Sequence, residues 1–291
     1  MTGVASSAEV QQNWGSLPRE ILVEILQKLQ WNERLFTAPL VCHCWYDASR
    51  DPLCWKHLDF QDWDMKYWRV SENASSIFEV GIDFAKLLKI LLKLANNQVT
   101  SISFPILATT NFELLYVSDR CPELTFLSLG KFNLLLKDIH AAVSKLRALG
   151  TLHLSHNLTR FGEKDVKLKY LICQIGVCCE DMRELMLISF DLSEEDASAI
   201  ASSCPCLKSL ILRFGYLEKD WLERIMKGCI GLERLYLVGC RGLEMDHEMQ
   251  LYCTSRLKDF YWAPLLDNIN DDDVNDHESD PLIGGDTDDF L

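Results

Sequence analysis

No run of apolar residues approaches the ~20 that a membrane helix needs, and residues 1–14 lack the basic and apolar regions of a secretory signal. The chain also lacks a C-x₂-C pair, a glycine-rich phosphate loop, an H-E-x-x-H helix and a G-x-S-x-G elbow. These absences speak against a membrane protein, a structural zinc site, a nucleotide-binding enzyme and the common hydrolases. The expectation is a protein of the nucleus and/or cytoplasm, with no cofactor and no metal. Basic residues are scarce where acids are dense. Ten acids and no Lys or Arg lie after residue 266, which leaves residues 1–266 only −4 of the net charge of −14. Nothing here looks like a phosphate-binding surface, so nucleic acid is not an expected partner. The segment 267–291 has too few large apolar groups to offset the entropy of folding and is expected to be disordered.

What the chain has in abundance is leucine in one phase. An apolar-x-x-apolar-x-apolar pattern recurs as "VTSISF" from Val99, "LTFLSL" from Leu124, "LGTLHL" from Leu149 and "MRELML" from Met182. It continues as "LKSLIL" from Leu207, "LERLYL" from Leu232 and "LKDFYW" from Leu257. Successive starts are 25 residues apart except for one step of 33, between Leu149 and Met182. Each unit reads as a short strand too small to bury its own apolar face, so stacking into a parallel solenoid is expected. The period and the L-x-x-L-x-L-x-x-C of "LERLYLVGC" match the leucine-rich repeat.

Between strands the chain has helical spacing. Ser193 with Asp196 forms a capping-box arrangement, Leu217, Trp221, Leu222, Ile225 and Met226 share a face, and Gly228 is placed to end that helix. Ile139, Val143 and Leu146 are spaced likewise. Cys121, Cys179, Cys204 and Cys229 each lie three residues before a strand start, and Leu146 fills the same slot elsewhere. A slot that accepts Cys or Leu is one of packing rather than chemistry.

Residues 14–60 differ. Leu17, Ile21, Leu22, Ile25, Leu26 and Leu29 make an apolar stripe on a helix starting near Pro18. A second helical stretch holds Leu35 and Phe36, and a third runs through Val41, Cys42 and Trp45 before "RDPLCW" breaks it. Pro39 is expected to end or bend the second. "LPREILVEILQKL", then Leu35, then "VCHCWYDASRDPLCW" resembles the F-box. With the repeats that follow, the chain is similar to plant-type F-box proteins with leucine-rich repeats. The resemblance implies an α/β architecture: a three-helix F-box at 12–60, a linker or irregular repeat at 61–97, repeats at 98–266 and the acidic tail at 267–291. The sheet would line the concave face, with helices on the convex one. It further implies docking on a Skp-type adaptor through Leu17, Pro18, Ile21, Leu22, Ile25, Leu35, Val41, Cys42 and Trp45. That would tie the chain to the cullin and RING subunits of an SCF-type ubiquitin ligase. The same helices would also serve as a cap on the solenoid, and the two roles are compatible.

Residues alternating with the buried leucines face the other way. The expected recognition surface is Phe126, Ser128, Thr151, His153, Ser155, Glu184, Met186, Ile188, Ser209, Ile211, Arg213, Arg234, Tyr236, Val238, Asp259 and Tyr261. This mixed row suits a protein or peptide better than a polyphosphate, although such residues also simply cover a sheet. His153 and His156 have no nucleophile or orienting carboxylate beside them in sequence, so an enzyme, with a site in the poorly patterned stretch 61–95, ranks below a substrate receptor. A repeat scaffold or inhibitor with no ligase connection is the rival reading.

Overall fold

The computed structural model describes residues 14, 17–61, 83–105, 109–131, 136–155 and 167–265. His156, most of the stretch 61–95 and the tail beyond 265 lie outside them.

Eight parallel strands form one sheet in chain order: β1 (His57–Asp59), β2 (Ser101–Ser103), β3 (Phe126–Lys131), β4 (Thr151–Ser155), β5 (Glu184–Ile188), β6 (Ser209–Arg213), β7 (Arg234–Val238) and β8 (Asp259–Ala263). The register follows the sequence period: Ser101 pairs Phe126, then Thr151, Glu184, Ser209, Arg234 and Asp259. The step of 33 between β4 and β5 therefore leaves the ladder intact, and its extra residues are accommodated off the strands. Every repeat start from Val99 to Leu257 is buried, as are the leucines that follow it on β4 to β7.

Helices return the chain between strands: α3 (Phe84–Leu94), α4 (Asn111–Arg120), α5 (Leu136–Val143), α6 (Leu168–Cys178), α7 (Glu194–Ser203), α8 (Lys219–Gly228) and α9 (His247–Arg256). Ser193 and Asp196 close the expected capping box on α7, and Thr110 with Glu113 closes a second on α4. Both satisfy backbone donors that the first turn leaves unpaired. The cysteine slot is the residue that ends the helix: Cys121, Cys179, Cys204 and Cys229 terminate α4, α6, α7 and α8 and are buried. Two of these thiols donate to carbonyls one repeat back, Cys179 to Leu146 at 3.3 Å and Cys229 to Ile200 at 3.7 Å. Gly228, expected to stop α8 by its conformational freedom, is its last helical residue and has another use. A Cβ there would lie 2.5 Å from the Cβ of Ala201, so its missing side chain lets α8 approach α7.

The period also repeats a backbone conformation. Ser189, Phe214 and Gly239, each one residue past a strand, all have φ near 60°. This left-handed geometry costs a bulky residue such as phenylalanine more than glycine.

The N-terminal region folds as α1 (Arg19–Gln27), an irregular helical segment (Glu33–Leu40), α2 (His43–Ser49) and a short turn (Pro52–Trp55). Pro39 breaks the second helix as expected: a π-helical turn, Glu33–Thr37, gives way to a 3₁₀ turn containing the proline. The third helix starts later than expected, because Cys42 is extended, so Val41 and Cys42 precede it. Strand β1 was not among the seven expected. Its "WKHLDF" carries the same apolar phase at Trp55, Leu58 and Phe60, all buried. The N-terminal helices thus donate the first strand of the sheet. Ring contacts from Trp31 to Phe60 at 5.4 Å, Phe60 to Phe84 at 5.2 Å and Phe84 to Phe104 at 6.2 Å carry one core across the junction. Arg34 locks the same place, buried, donating to the Cys54 and His57 carbonyls with its guanidinium 5.3 Å from the Trp55 ring. Burial pushes its pKa down, with Cys54 acting weakly the other way.

Candidate functional site: a helical docking face and an open sheet face

Of the nine expected docking residues, Pro18, Ile21 and Val41 are exposed, and Leu17, Ile25, Leu35, Cys42 and Trp45 are half-buried. Leu22 is fully buried beside Val23 and Leu26, so it holds α1 to its own core and is not a contact residue. The stripe on α1 was assigned whole, but it splits because the helix packs inward on one side only. Five further apolar groups stand in solvent: Trp14, Phe36, Leu40, Tyr46 and Leu53. Leu40 is 84% exposed and its neighbour Val41 55%. Their signal in sequence was Pro39, which forces the turn that carries both outward. Apolar groups so exposed beside a complete core suit contact with a partner.

The open sheet face falls into three registered rows. The first holds Phe126, Thr151, Glu184, Ser209, Arg234 and Asp259, and the second Ser128, His153, Met186, Ile211, Tyr236 and Tyr261. The third holds Ser155, Ile188, Arg213 and Val238. All sixteen expected residues therefore lie on this face, but four are buried and offer little to a partner: Ser128, Ser155, Ser209 and Arg213. Ser209 shows why. Glu184 on β5 accepts from Arg234 on β7 at 3.1 Å, closing over the strand between them, and the small serine beneath is left 1% exposed. Arg213 lies in register with Ile188 and Val238, with its guanidinium 5.4 Å from the Phe214 ring.

Glu184 is the hub. Its other oxygen lies 2.8 Å from His153 Nε2, and the imidazole meets Phe126 edge-on at 5.0 Å. Burial would raise the Glu184 pKa, but the hydrogen bond and charge of His153, with the nearby Ser209 hydroxyl and the charge of Arg234, outweigh it and hold the carboxyl below its ordinary 4.5. Tyr236 donates to Asp259, and burial with that carboxylate pushes its phenol up to about 12. His153 does have a carboxylate partner. It comes from the next strand, 31 residues away, which sequence adjacency did not reveal. The pair orients Arg234 and Phe126 rather than a nucleophile. Beside this neutralised polar row run Met186, Ile188, Ile211 and Val238, half-buried, and Tyr261, exposed. The face therefore combines an apolar strip with a row whose charges largely satisfy one another.

Among the described residues there is no group of three or more His, Cys, Asp or Glu placed to hold a metal ion. No described helix is long and apolar enough to cross a membrane.

A three-helix unit that feeds its last residues into a parallel strand-and-helix array of 25-residue period is the architecture of an F-box joined to leucine-rich repeats. Comparison with known proteins bears this out: residues 14–61 match the F-box-like family model. Over 272 residues the chain is 29% identical to F-box/LRR-repeat protein 22 of Arabidopsis thaliana, an alignment covering 92% of this chain and 82% of that protein. It is 27% identical to F-box/LRR-repeat protein 23 of the same plant, covering 85% of this chain but 53% of the relative, and 27% identical to F-box protein SKIP19, covering 95% and 85%. In both of its parts the chain is thus similar to plant F-box/leucine-rich-repeat proteins.

Proposed function

We propose that this protein is the substrate-recognition subunit of an SCF-type ubiquitin ligase. Its F-box docks on a Skp-type adaptor, which links it to cullin and RING subunits, and the open sheet face holds the protein to be ubiquitinated. The observation that carries this reading is the F-box-like segment 14–61 with Leu40, Val41, Ile21, Phe36 and Leu53 standing in solvent. The reading needs no catalysis from this chain. A receptor acts by raising the effective concentration of a target near the enzyme that carries ubiquitin. F-box proteins SKIP19 and SKIP1 among the relatives point the same way.

The test is binding of the purified full chain to a Skp-type adaptor, with a Leu40→Asp/Val41→Asp variant. Both side chains are exposed, so the fold should survive, as circular dichroism will check. Burying a leucine contributes roughly 1.5–3 kcal/mol, so losing both and adding charge should weaken binding by at least about tenfold. A folded wild-type chain that binds no Skp-type adaptor would leave the protein a repeat scaffold without a ligase.

A further inference from the structure

The helical side of the solenoid carries one patch unlike the rest. On α3, Lys86, Lys89, Ile90 and Lys93 share an exposed face, and Ile90 is 51% exposed. On the neighbouring α4, Phe112 and Tyr116 stack at 5.9 Å, with Phe112 50% exposed. Lys89 Nζ sits 4.9 Å from the Phe112 ring and 5.6 Å from Tyr116, and the Arg120 guanidinium lies 3.7 Å from Tyr116. Two acids border the patch and both are already engaged: Asp83 with Lys86 at 3.7 Å and Asp119 with Lys145 at 2.5 Å. Among the described residues Lys89, Lys93 and Arg120 have no ion-pair partner. Several lysines and arginines elsewhere are matched to acids one repeat away, as in Lys208–Glu233–Lys258, Lys219–Asp246 and Arg224–Glu194.

Cations interleaved with exposed aromatic and aliphatic groups suit a segment of acids interleaved with apolar residues. This chain contains such a segment: "DPLIGGDTDDFL", residues 280–291, sets Asp280, Asp286, Asp288 and Asp289 beside Leu282, Ile283, Phe290 and Leu291. It lies beyond the last described residue, Leu265, next to β8. From β8 to β2, the strand that follows α3, is six strand spacings, about 29 Å. The 14 residues from 266 to 279 reach about 46 Å when extended. The tether is long enough to bring the segment round to α3 and α4, and being in the same chain raises its local concentration to about millimolar.

We propose that residues 280–291 dock on the Lys89, Lys93, Arg120, Phe112 and Ile90 patch of their own chain. The acids meet the unpaired cations, and Phe290 and the Leu282–Ile283 pair cover the exposed rings. The F-box and the open sheet face stay uncovered, so the inference stands independently of the ligase reading.

Zero-length carbodiimide cross-linking of the full chain, with peptides mapped by mass spectrometry on the monomer fraction, tests it. Asp286, Asp288 and Asp289 should link to Lys89 or Lys93 at least about fivefold more than to Lys258, which is exposed at the start of β8, the strand that the tether follows. In about 1 M salt, where screening is complete within a few ångströms, the preference should vanish. Arg120→Gln and Ile90→Ser/Phe112→Ser leave every cross-linkable lysine in place, and each should lower the preferred yield severalfold. Links spread over the surface lysines in proportion to exposure would overturn the proposal. So would links confined to dimers, which would make the occupant a second copy, or yields indifferent to both variants.

Discussion

Gly228→Ala sets two forces against each other with opposite signs. Helix propensity alone favours alanine over glycine by up to about 1 kcal/mol, and least at a terminal position such as this one. Geometry opposes it. The new methyl would sit 2.5 Å from the Ala201 Cβ and 2.6 Å from its Cα, where carbon atoms need about 3.5 Å or more. Neither obstacle is the far end of a flexible side chain. Both belong to the body of α7, so α7 and α8 must part by about 1 Å along their packed contact. Forcing one extra carbon into packed structure costs about 1–3 kcal/mol. The net expectation is a loss of about 1–2 kcal/mol, or a midpoint lowered by roughly 3–6 °C for a protein of this size. Thermal and urea unfolding followed by circular dichroism would measure it. Gly150→Ala is the control: its added carbon meets nothing nearer than the Asp181 carbonyl at 3.4 Å, so stability should change by less than about 0.5 kcal/mol. An unchanged or raised midpoint for Gly228→Ala would refute the close approach of α7 and α8.

Two further outcomes follow from the sheet face and the cysteine slots. Glu184→Gln strips His153 and Arg234 of their shared carboxylate and should cost about 1–2 kcal/mol at neutral pH. Because the folded carboxyl titrates below 4.5, its stabilisation is fully present above that value and fades as pH falls through the folded pKa. The gap between wild type and variant should therefore narrow as urea unfolding is repeated from about pH 6 down to about pH 3, and a constant gap would rule out the ionised pairing. Burial raises the thiols of Cys121 and Cys229 to about 11 and those of Cys179 and Cys204 to about 12. Under native conditions iodoacetamide should modify exposed Cys44, Cys173 and Cys206 first and leave the four slot cysteines intact until the chain unfolds. Early labelling of Cys204 would contradict its packing.

Much of this architecture could be read from the leucine phase, because burial in a solenoid is local and periodic. Leu152 and Leu154 had to point inward once "LGTLHL" was a strand, and His153 outward. The Ser193 cap and the four cysteine slots were legible for the same reason: each depends on residues within a few positions. Strand β1 escaped because "WKHLDF" lies inside the F-box motif and 44 residues before its partner pattern, so no regular step pointed to it. Leu22 was misassigned since an apolar stripe shows which residues avoid water without saying which of them meet the core and which a partner. The His153–Glu184–Arg234 network was illegible because its members come from three strands. Only the true register, carried across the irregular 33-residue step, brings them together.

The strand that the N-terminal helices lend to the sheet has a geometrical consequence. Because β1 begins the same ladder that ends at β8, each strand lies a fixed number of rungs from the F-box. One rung is about 4.8 Å, so His153 on β4 and Tyr261 on β8 stand about 14 and 34 Å from that first strand along the ladder. The array is a ruler with its zero mark at the F-box. Deleting or inserting one 25-residue unit would shift everything beyond it by a single graduation. A target gripped by the sheet would then be presented nearer to or farther from whatever the F-box holds, with no change in a single contact residue.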